Sequence, residues 1–480
     1  MQKFYSTLLF LVCLFTAQYS FSQGLEDSCK LRFGTNIAGI SDWGTEMPFV
    51  DMMKYAREWY TKDVDNPSAP FNSNNASYLS YRSDGYPTHM PQTISQSAFK
   101  QSVATIWGVT EGWEVGNYVV LYDGTGTLSF WGNYTNLSQV NNNRITFTVT
   151  TPSQNVIELR IDSSLASDPI RNIRIVKDTY ESTYTTDPFN PVWLAKVKIF
   201  NSIRFMDWGR TNNWSQPESW DWQDTILLDW DERAQFDYYT WTTNKGVPYE
   251  MMVKLMNDHN IDGWVCVPHK ASNDYIQKMA SFFKDELNDT RKLTVEYSNE
   301  IWNWMFGQTQ WLNQYGCIDK SVSWPEGIVP YIQNCMDIWT SVWQNDLSRL
   351  KRAVGLQGGW LDVSQRIAFN MNPNSFDIVS PTSYFGISDS ADAIFDVLGA
   401  ATTAADIAQS VRASWYADKQ YLTNIKTEIA DSIGKTLAFY EGGQHLTAHP
   451  FGVPPTYGNA LLDIQRDTAM YNLYNEWFDF

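Results

Sequence analysis

Two hydrophobic periods divide the chain. Across residues 62–178 apolar and polar positions alternate: Ile145, Phe147 and Val149 against Thr146, Thr148 and Thr150, then Ile157, Leu159 and Ile161 against Glu158 and Arg160. A period of two predicts half-buried antiparallel strands. Asp123-Gly124, Asn141-Asn142-Asn143 and Pro152-Ser153 supply turns between them, so the segment reads as an inserted β-sandwich.

On either side, short apolar runs alternate with helical patterns, the βαβ signature of a parallel sheet. Strands are predicted at 32–37, 201–208, 263–268, 293–298, 353–357, 376–381 and 436–440. Helices are predicted at 49–59, from near Pro248, at 274–287 and at 461–478. Successive units of this kind predict an α/β fold, a (β/α)8-type barrel interrupted after its first βα unit by the antiparallel sandwich. The domain plan is a signal peptide at 1–22, the barrel in two parts at 23–61 and 179–480, and the insert at 62–178. An eighth strand is missing after the last helix. An open barrel edge leaves backbone groups unpaired, so the expectation is a chain cut short before strand eight.

Lys3, the apolar run from Leu8 to Phe15, and Ser20 and Ser22 around Phe21 form an export signal cleaved before Gln23. A secreted or periplasmic protein is expected. No later stretch reaches the roughly 18 apolar residues of a membrane span, so no membrane insertion is expected. Export permits disulfides, and Cys317 and Cys335, which flank Trp324-Pro325-Glu326-Gly327, are the expected pair; Cys266 reads as a core thiol. The five histidines form no metal-binding spacing, and Gly124-Thr125-Gly126 leads into a hairpin rather than a helix. Neither a catalytic metal nor a nucleotide cofactor is expected.

Charge changes the picture by exclusion. With 35 Lys and Arg against 53 Asp and Glu, a net charge of −18, the surface repels phosphate backbones and nucleic acid is not a partner. Aromatics make up 15% of the chain, including 22 Trp and 26 Tyr. Flat rings of this kind stack on sugars, which makes carbohydrate the expected partner. In the insert, Trp107, Trp113, Tyr122, Trp131 and Tyr134 read either as a sugar platform or as strand packing. Trp208, Trp214, Trp220, Trp222 and Trp230 crowd the loop after strand two, and some of them are expected to stack on sugar.

In such barrels chemistry gathers at the carboxyl ends of the strands. Those ends carry Arg204 and Asp207, then His269, then Asn299 and Glu300, then Ser383 and Tyr384, and last Glu441. Two carboxyls on separated strands, with Arg, His and Tyr between them, supply what glycosidic hydrolysis requires: one acid to protonate the leaving oxygen, one carboxylate to attack the anomeric carbon. Arg204 is expected to keep Glu441 ionised and low in pKa, while apolar walls of Trp302 and Trp304 keep Glu300 protonated.

The segment Val295-Glu296-Tyr297-Ser298-Asn299-Glu300-Ile301-Trp302-Asn303 resembles the fourth-strand Asn-Glu motif of clan A glycoside hydrolases. Phe439-Tyr440-Glu441-Gly442-Gly443, about 140 residues on, resembles that clan's seventh-strand nucleophile motif. The resemblance covers the barrel and not the insert. It implies Glu300 as acid/base, Glu441 as nucleophile, Asn299 on the sugar 2-hydroxyl, Tyr384 holding the nucleophile, and Arg204 and His269 lining the site. The clan's eighth-strand Trp has no counterpart here.

Substrate contacts are further expected from Asp207, Trp208 and Trp302. Other readings stay open at several positions: Glu296 shares the strand parity of Glu300 and could pair with Arg204, Asp207 could cap a loop, and His269 could bond backbone. The expected function is a secreted retaining β-glycoside hydrolase acting on a poly- or oligosaccharide. The alternative is a non-catalytic carbohydrate-binding protein on a degenerate barrel.

Overall fold

The structure, a computed structural model, describes residues 33–108, 112–151, 156–212, 227–446 and 455–480. The signal segment, Cys29, Trp214, Trp220, Trp222 and His449 lie outside these residues.

β1 (Gly34–Asn36) is followed not by the predicted helix at 49–59 but by a single 3-10 turn, Met52–Tyr55. The helical spacing of its apolar residues is real, yet the backbone groups a helix would use are taken by the insert. Trp107 Nε1 donates to the Met52 carbonyl at 2.7 Å, Arg57 N donates to Ile106 O, and the Arg57 carbonyl accepts from Thr105 Oγ1 at 2.6 Å. The first crossover's helix, Pro191–Val197, comes after the insert instead. The interruption therefore falls inside the first crossover, ahead of its helix.

The insert begins with β2 (Tyr60–Asp63) and β3 (Gln101–Trp107). β4 (Gly116–Asp123), β5 (Gly126–Gly132), β6 (Thr135–Asn141), β7 (Arg144–Val149), β8 (Ile157–Ser164) and β9 (Arg171–Lys177) follow. They form two four-stranded antiparallel sheets in the orders β2-β3-β8-β5 and β6-β7-β4-β9. Phe130 of one sheet meets Phe147 of the other at 5.8 Å between ring centroids, so the inner faces share a core. Trp107, Trp113 and Tyr122 are buried in the core, the packing reading of those residues.

The chain returns to the parallel layer with β10 (Ser202–Arg204), β11 (Asp262–Val267), β12 (Leu293–Tyr297), β13 (Leu350–Gly355) and β14 (Ile378–Ser380). β15 (Thr382–Phe385), β16 (Thr436–Leu437) and β17 (Glu441–Gln444) complete the strands. β1-β10-β11-β12-β13-β14-β16 form one curled parallel sheet, a half-barrel, and β15 pairs with β17 beyond it. Helices Asn273–Glu286 and Val329–Trp343 cover the outside, where Trp343 Nε1 donates to the Ala280 carbonyl at 3.0 Å. With helices outside and side chains filling the inside, Val265, Val267, Leu293 and Val295 are buried, which is why these strands read as apolar runs.

Among the described residues no eighth strand pairs with β1 or β16. The two edges nevertheless approach: Asn36 Nδ2 donates to the Tyr440 carbonyl at 3.5 Å. The predicted helix at 461–478 is two helices, Gly458–Ile464 and Thr468–Asp479. The second lies along the opening, with Phe478 against Phe33 at 4.7 Å and Trp477 Nε1 donating to Ser383 Oγ at 2.9 Å. The expected disulfide is absent: Cys317 and Cys335 are both free, buried thiols, Cys317 beside Gly327 and Cys335 in the core face of helix Val329–Trp343.

Candidate active site

The carboxyl ends of β1, β10 and β12 and the β16–β17 segment converge on Arg204. This guanidinium is buried, and in an apolar interior it requires partners for its donors. Its Nη2 donates to Glu296 Oε2 at 3.0 Å and to Asn299 Oδ1 at 2.7 Å. Its Nη1 donates to Glu441 Oε2 at 3.3 Å and to Asn36 Oδ1 at 3.5 Å, and its flat face lies 4.8 Å over the Tyr440 ring. Glu296, also held by Trp264 Nε1 at 2.9 Å, is thus the structural ion-pair partner, and burial raises its pKa despite Arg204.

Successive residues of a regular strand point to opposite faces, yet Asn299 and Glu300 both face the cleft. The backbone explains it. Ser298 and Glu300 adopt positive φ values of 57° and 42°, a left-handed region that L residues enter only under constraint. The constraint is visible: Gln308 Nε2 donates to the Asn299 carbonyl at 2.8 Å, and Thr309 Oγ1 and Asn303 N donate to the Glu300 carbonyl at 3.2 and 2.8 Å. Asn299 Nδ2 donates to Asn212 Oδ1 at 2.9 Å, so the side-chain amide is fixed at both ends.

Glu300 is held by neutral donors. Tyr440 Oη donates to its Oε1 and Asn303 Nδ2 to its Oε2, each at 2.7 Å. Glu441 is held by Arg204 and by the Tyr384 hydroxyl, which donates to its Oε1. Burial nevertheless raises the Glu441 pKa above the ordinary glutamate value, against the lowering effects of Tyr384 and Arg204 and with added repulsion from Glu300 and Glu296. The expectation of a low Glu441 pKa is therefore corrected: desolvation outweighs the cation.

His269 is buried at the end of β11, edge-on to Trp311 at 5.5 Å between centroids. Burial lowers its pKa to about 3, so the ring is neutral near pH 7. Both ring nitrogens lack a partner among the described residues, and only its backbone carbonyl is engaged, by Tyr297 Oη at 2.8 Å. Asp207 is half-buried, its pKa raised by burial and opposed by Arg204 and Arg210.

The expected tryptophans are redistributed. Trp208 is fully buried against Phe49, Trp193 and Phe205, so it is core and offers no face to a sugar. Trp230 packs on Tyr249 and Tyr275. Trp302 is buried behind Tyr440 at 6.2 Å and so close to Gly355 that a β-carbon there would be a tight contact, so it backs the site instead of stacking on substrate. Trp304, expected as a second apolar wall, is 45% exposed. The residues sequence reasoning missed are Asn36, Asn212, Asn303, Gln308 and Tyr440. Only two carried a signal: Asn303, inside the Asn-Glu segment, and Tyr440, beside Glu441.

Among the described residues no three His, Cys, Asp or Glu side chains converge as a metal-ligand set. No protein-family profile matches the chain, and no curated protein matches its sequence. Solved structures with a distant likeness include the arabinose-bound MgGH51 α-L-arabinofuranosidase, 11% identical with a TM-score of 0.38, the match covering 87% of this chain and 76% of that one. The GH51 arabinofuranosidase from Xanthomonas axonopodis pv. citri is 11% identical with a TM-score of 0.29, over 57% of this chain and 54% of its own. The chain is also similar to β-glucuronidase 2 of Bacteroides uniformis, at 10% identity and a TM-score of 0.23, over 67% of this chain and 39% of the other.

Proposed function

We propose that the chain is a secreted retaining β-glycoside hydrolase that cleaves a poly- or oligosaccharide by double displacement. The observation that carries this reading is a pair of carboxyls at one mouth with unlike partners, Glu441 on a cation and a phenol, Glu300 on a phenol and an amide. In the first step Glu441 Oε attacks the anomeric carbon while Glu300 gives its proton to the departing oxygen. In the second, Glu300 takes a proton from water, the water oxygen attacks the anomeric carbon, and the ester to Glu441 breaks.

The local hydrogen bonds assign the atoms. Asn303 Oδ1 is already engaged by Met305 N at 3.1 Å, and its Nδ2 can only donate, which keeps Glu300 Oε2 an acceptor. A hydroxyl both donates and accepts. Oε1 is therefore the oxygen of Glu300 that can carry the transferable proton, with the Tyr440 hydroxyl turning from donor to acceptor when it does. One hydrogen of Asn299 Nδ2 remains for a sugar hydroxyl, and neutral His269 can both donate and accept.

In the insert, we read the two sheets as one sandwich, with Trp131, 58% exposed, as a solvent-facing aromatic on one of its strands. The test of the main reading is a panel of aryl glycosides with the wild type and Glu441→Gln. Turnover that vanishes in the variant supports it. Tight sugar binding by the wild type without turnover overturns it in favour of a binding protein.

A further inference from the structure

Trp304 is 45% exposed and its neighbour Met305 is 50% exposed, although two residues earlier Trp302 is buried. Leaving that much indole in water forgoes burial that a core site would supply. The ring does not stand alone: Trp324, from a separate loop, lies 4.7 Å away with an interplanar angle of 46°. Both are anchored by their backbones. The Trp304 carbonyl accepts from Gln310 Nε2 at 3.3 Å. The Trp324 carbonyl accepts from Arg366, whose guanidinium also grips Glu326 through Nε and Nη2 at 2.7 and 2.6 Å, and Ser323 Oγ adds a bond to Glu326 at 2.9 Å. The exposed ring of Trp304, backed by Trp324, which is itself partly buried against the core, is held on fixed loops and is preorganised to bind a flat apolar face.

Its position names the ligand. Trp304 directly follows Asn303, the residue that seats Glu300 Oε2. In the proposed reaction Glu300 protonates the departing oxygen, so whatever is attached to that oxygen lies on the Glu300 side. We propose that Trp304 and Trp324 form a leaving-group subsite that stacks a sugar ring beyond the scissile bond, making oligo- and polysaccharide chains, and not simple monoglycosides, the substrate class. This rests on the glycosidase reading above.

The experiment compares kcat/KM on glycosyl fluorides, whose leaving group has no ring, with gluco-, xylo- and arabino-oligosaccharides from disaccharide to hexasaccharide. Trp304→Ala is expected to lose about tenfold more on the oligosaccharides than on the fluoride, the equivalent of ~1.4 kcal/mol, with Trp304→Phe recovering part of the difference. Trp324→Ala should follow the same pattern. Equal losses on both substrate types, or no loss on either, overturn the subsite. Wild-type turnover of the fluorides checks the glycosidase reading separately. Were the wild type inactive on every substrate, that reading would fall, and the platform would stand or fall on oligosaccharide affinity by calorimetry, weaker in Trp304→Ala or unchanged.

Discussion

The surroundings of Glu441 and Glu300 differ in kind. Glu441 starts β17, in extended backbone, and is held by a buried cation that it shares with Glu296. Glu300 sits on a left-handed turn and is held by neutral donors, with no cation among its partners in the described residues. The first environment sets a cation and a phenol against the burial that raises the Glu441 pKa; the second holds its carboxyl by neutral donors alone. Identical side chains thus receive different work from their neighbours.

The largest expected effect breaks the comparison at Glu441. Glu441→Ala should lower turnover on the order of 10⁴-fold on every substrate, with azide restoring part of the rate and giving product of inverted configuration. Glu300→Ala should instead keep glycosylation of activated aryl glycosides and stall at the second step; identical behaviour of both variants in a leaving-group series would end the division of roles.

Next in size is Arg204→Met, which leaves Glu296 and Glu441 facing each other without their cation. Breaking a buried pair in this way costs roughly 3–5 kcal/mol, measured by urea unfolding. A loss below ~1 kcal/mol would mean that solvent screens the cluster.

Tyr384→Phe removes a donor to ionised Glu441, an effect of ~1.5–3 kcal/mol on transition-state binding. A nucleophile must be ionised, and burial already raises the Glu441 pKa, so the acidic limb of kcat/KM should lie above the ordinary glutamate value in the wild type. The variant should move it further up. A limb at or below the ordinary value would refute the electrostatics described for the site.

The smallest effect sharpens the other half. Tyr440→Phe removes one of the two neutral hydrogen bonds that hold Glu300, which should cost about 0.5–1.5 kcal/mol of transition-state binding. Unactivated substrates should suffer more than activated ones. Equal rate losses on activated and unactivated substrates would make Tyr440 a packing residue only.

The sequence made the central strands legible because β11 and β12 are buried on both faces, and their ends were read by counting from apolar runs. Counting fails where the pleat does. Trp302 and Trp304 share a strand parity, but the positive φ at Glu300 ends the alternation, and one ring goes into the core while the other meets solvent. Tyr440 lies between β16 and β17, where the chain belongs to neither strand, so its direction could not be inferred from period. Asn36 and Asn212 come from distant segments, and only the folded cleft brings their amides onto Arg204 and Asn299; Gln308 lies nine residues after Asn299 but in no pattern that marks it. Trp208 was misassigned for a different reason: a cluster of tryptophans in a predicted loop says nothing about which side of the crossover packs on Phe49.

The base of the insert bears on how the barrel assembles in time. Val50 N donates to the Pro188 carbonyl and Asn190 N to the Pro48 carbonyl, on either side of an antiparallel bridge between Phe49 and Phe189. Pairing Gly34 with Ser202 from an unfolded chain would close a loop of roughly 160 residues, whereas with this neck already formed the effective loop is roughly 25. The difference in closure entropy is about 1.5 kcal/mol. Early formation of the insert therefore turns the most distant strand pairing of the sheet into a near-local one, so damage at the neck should slow barrel folding more than it weakens the finished barrel.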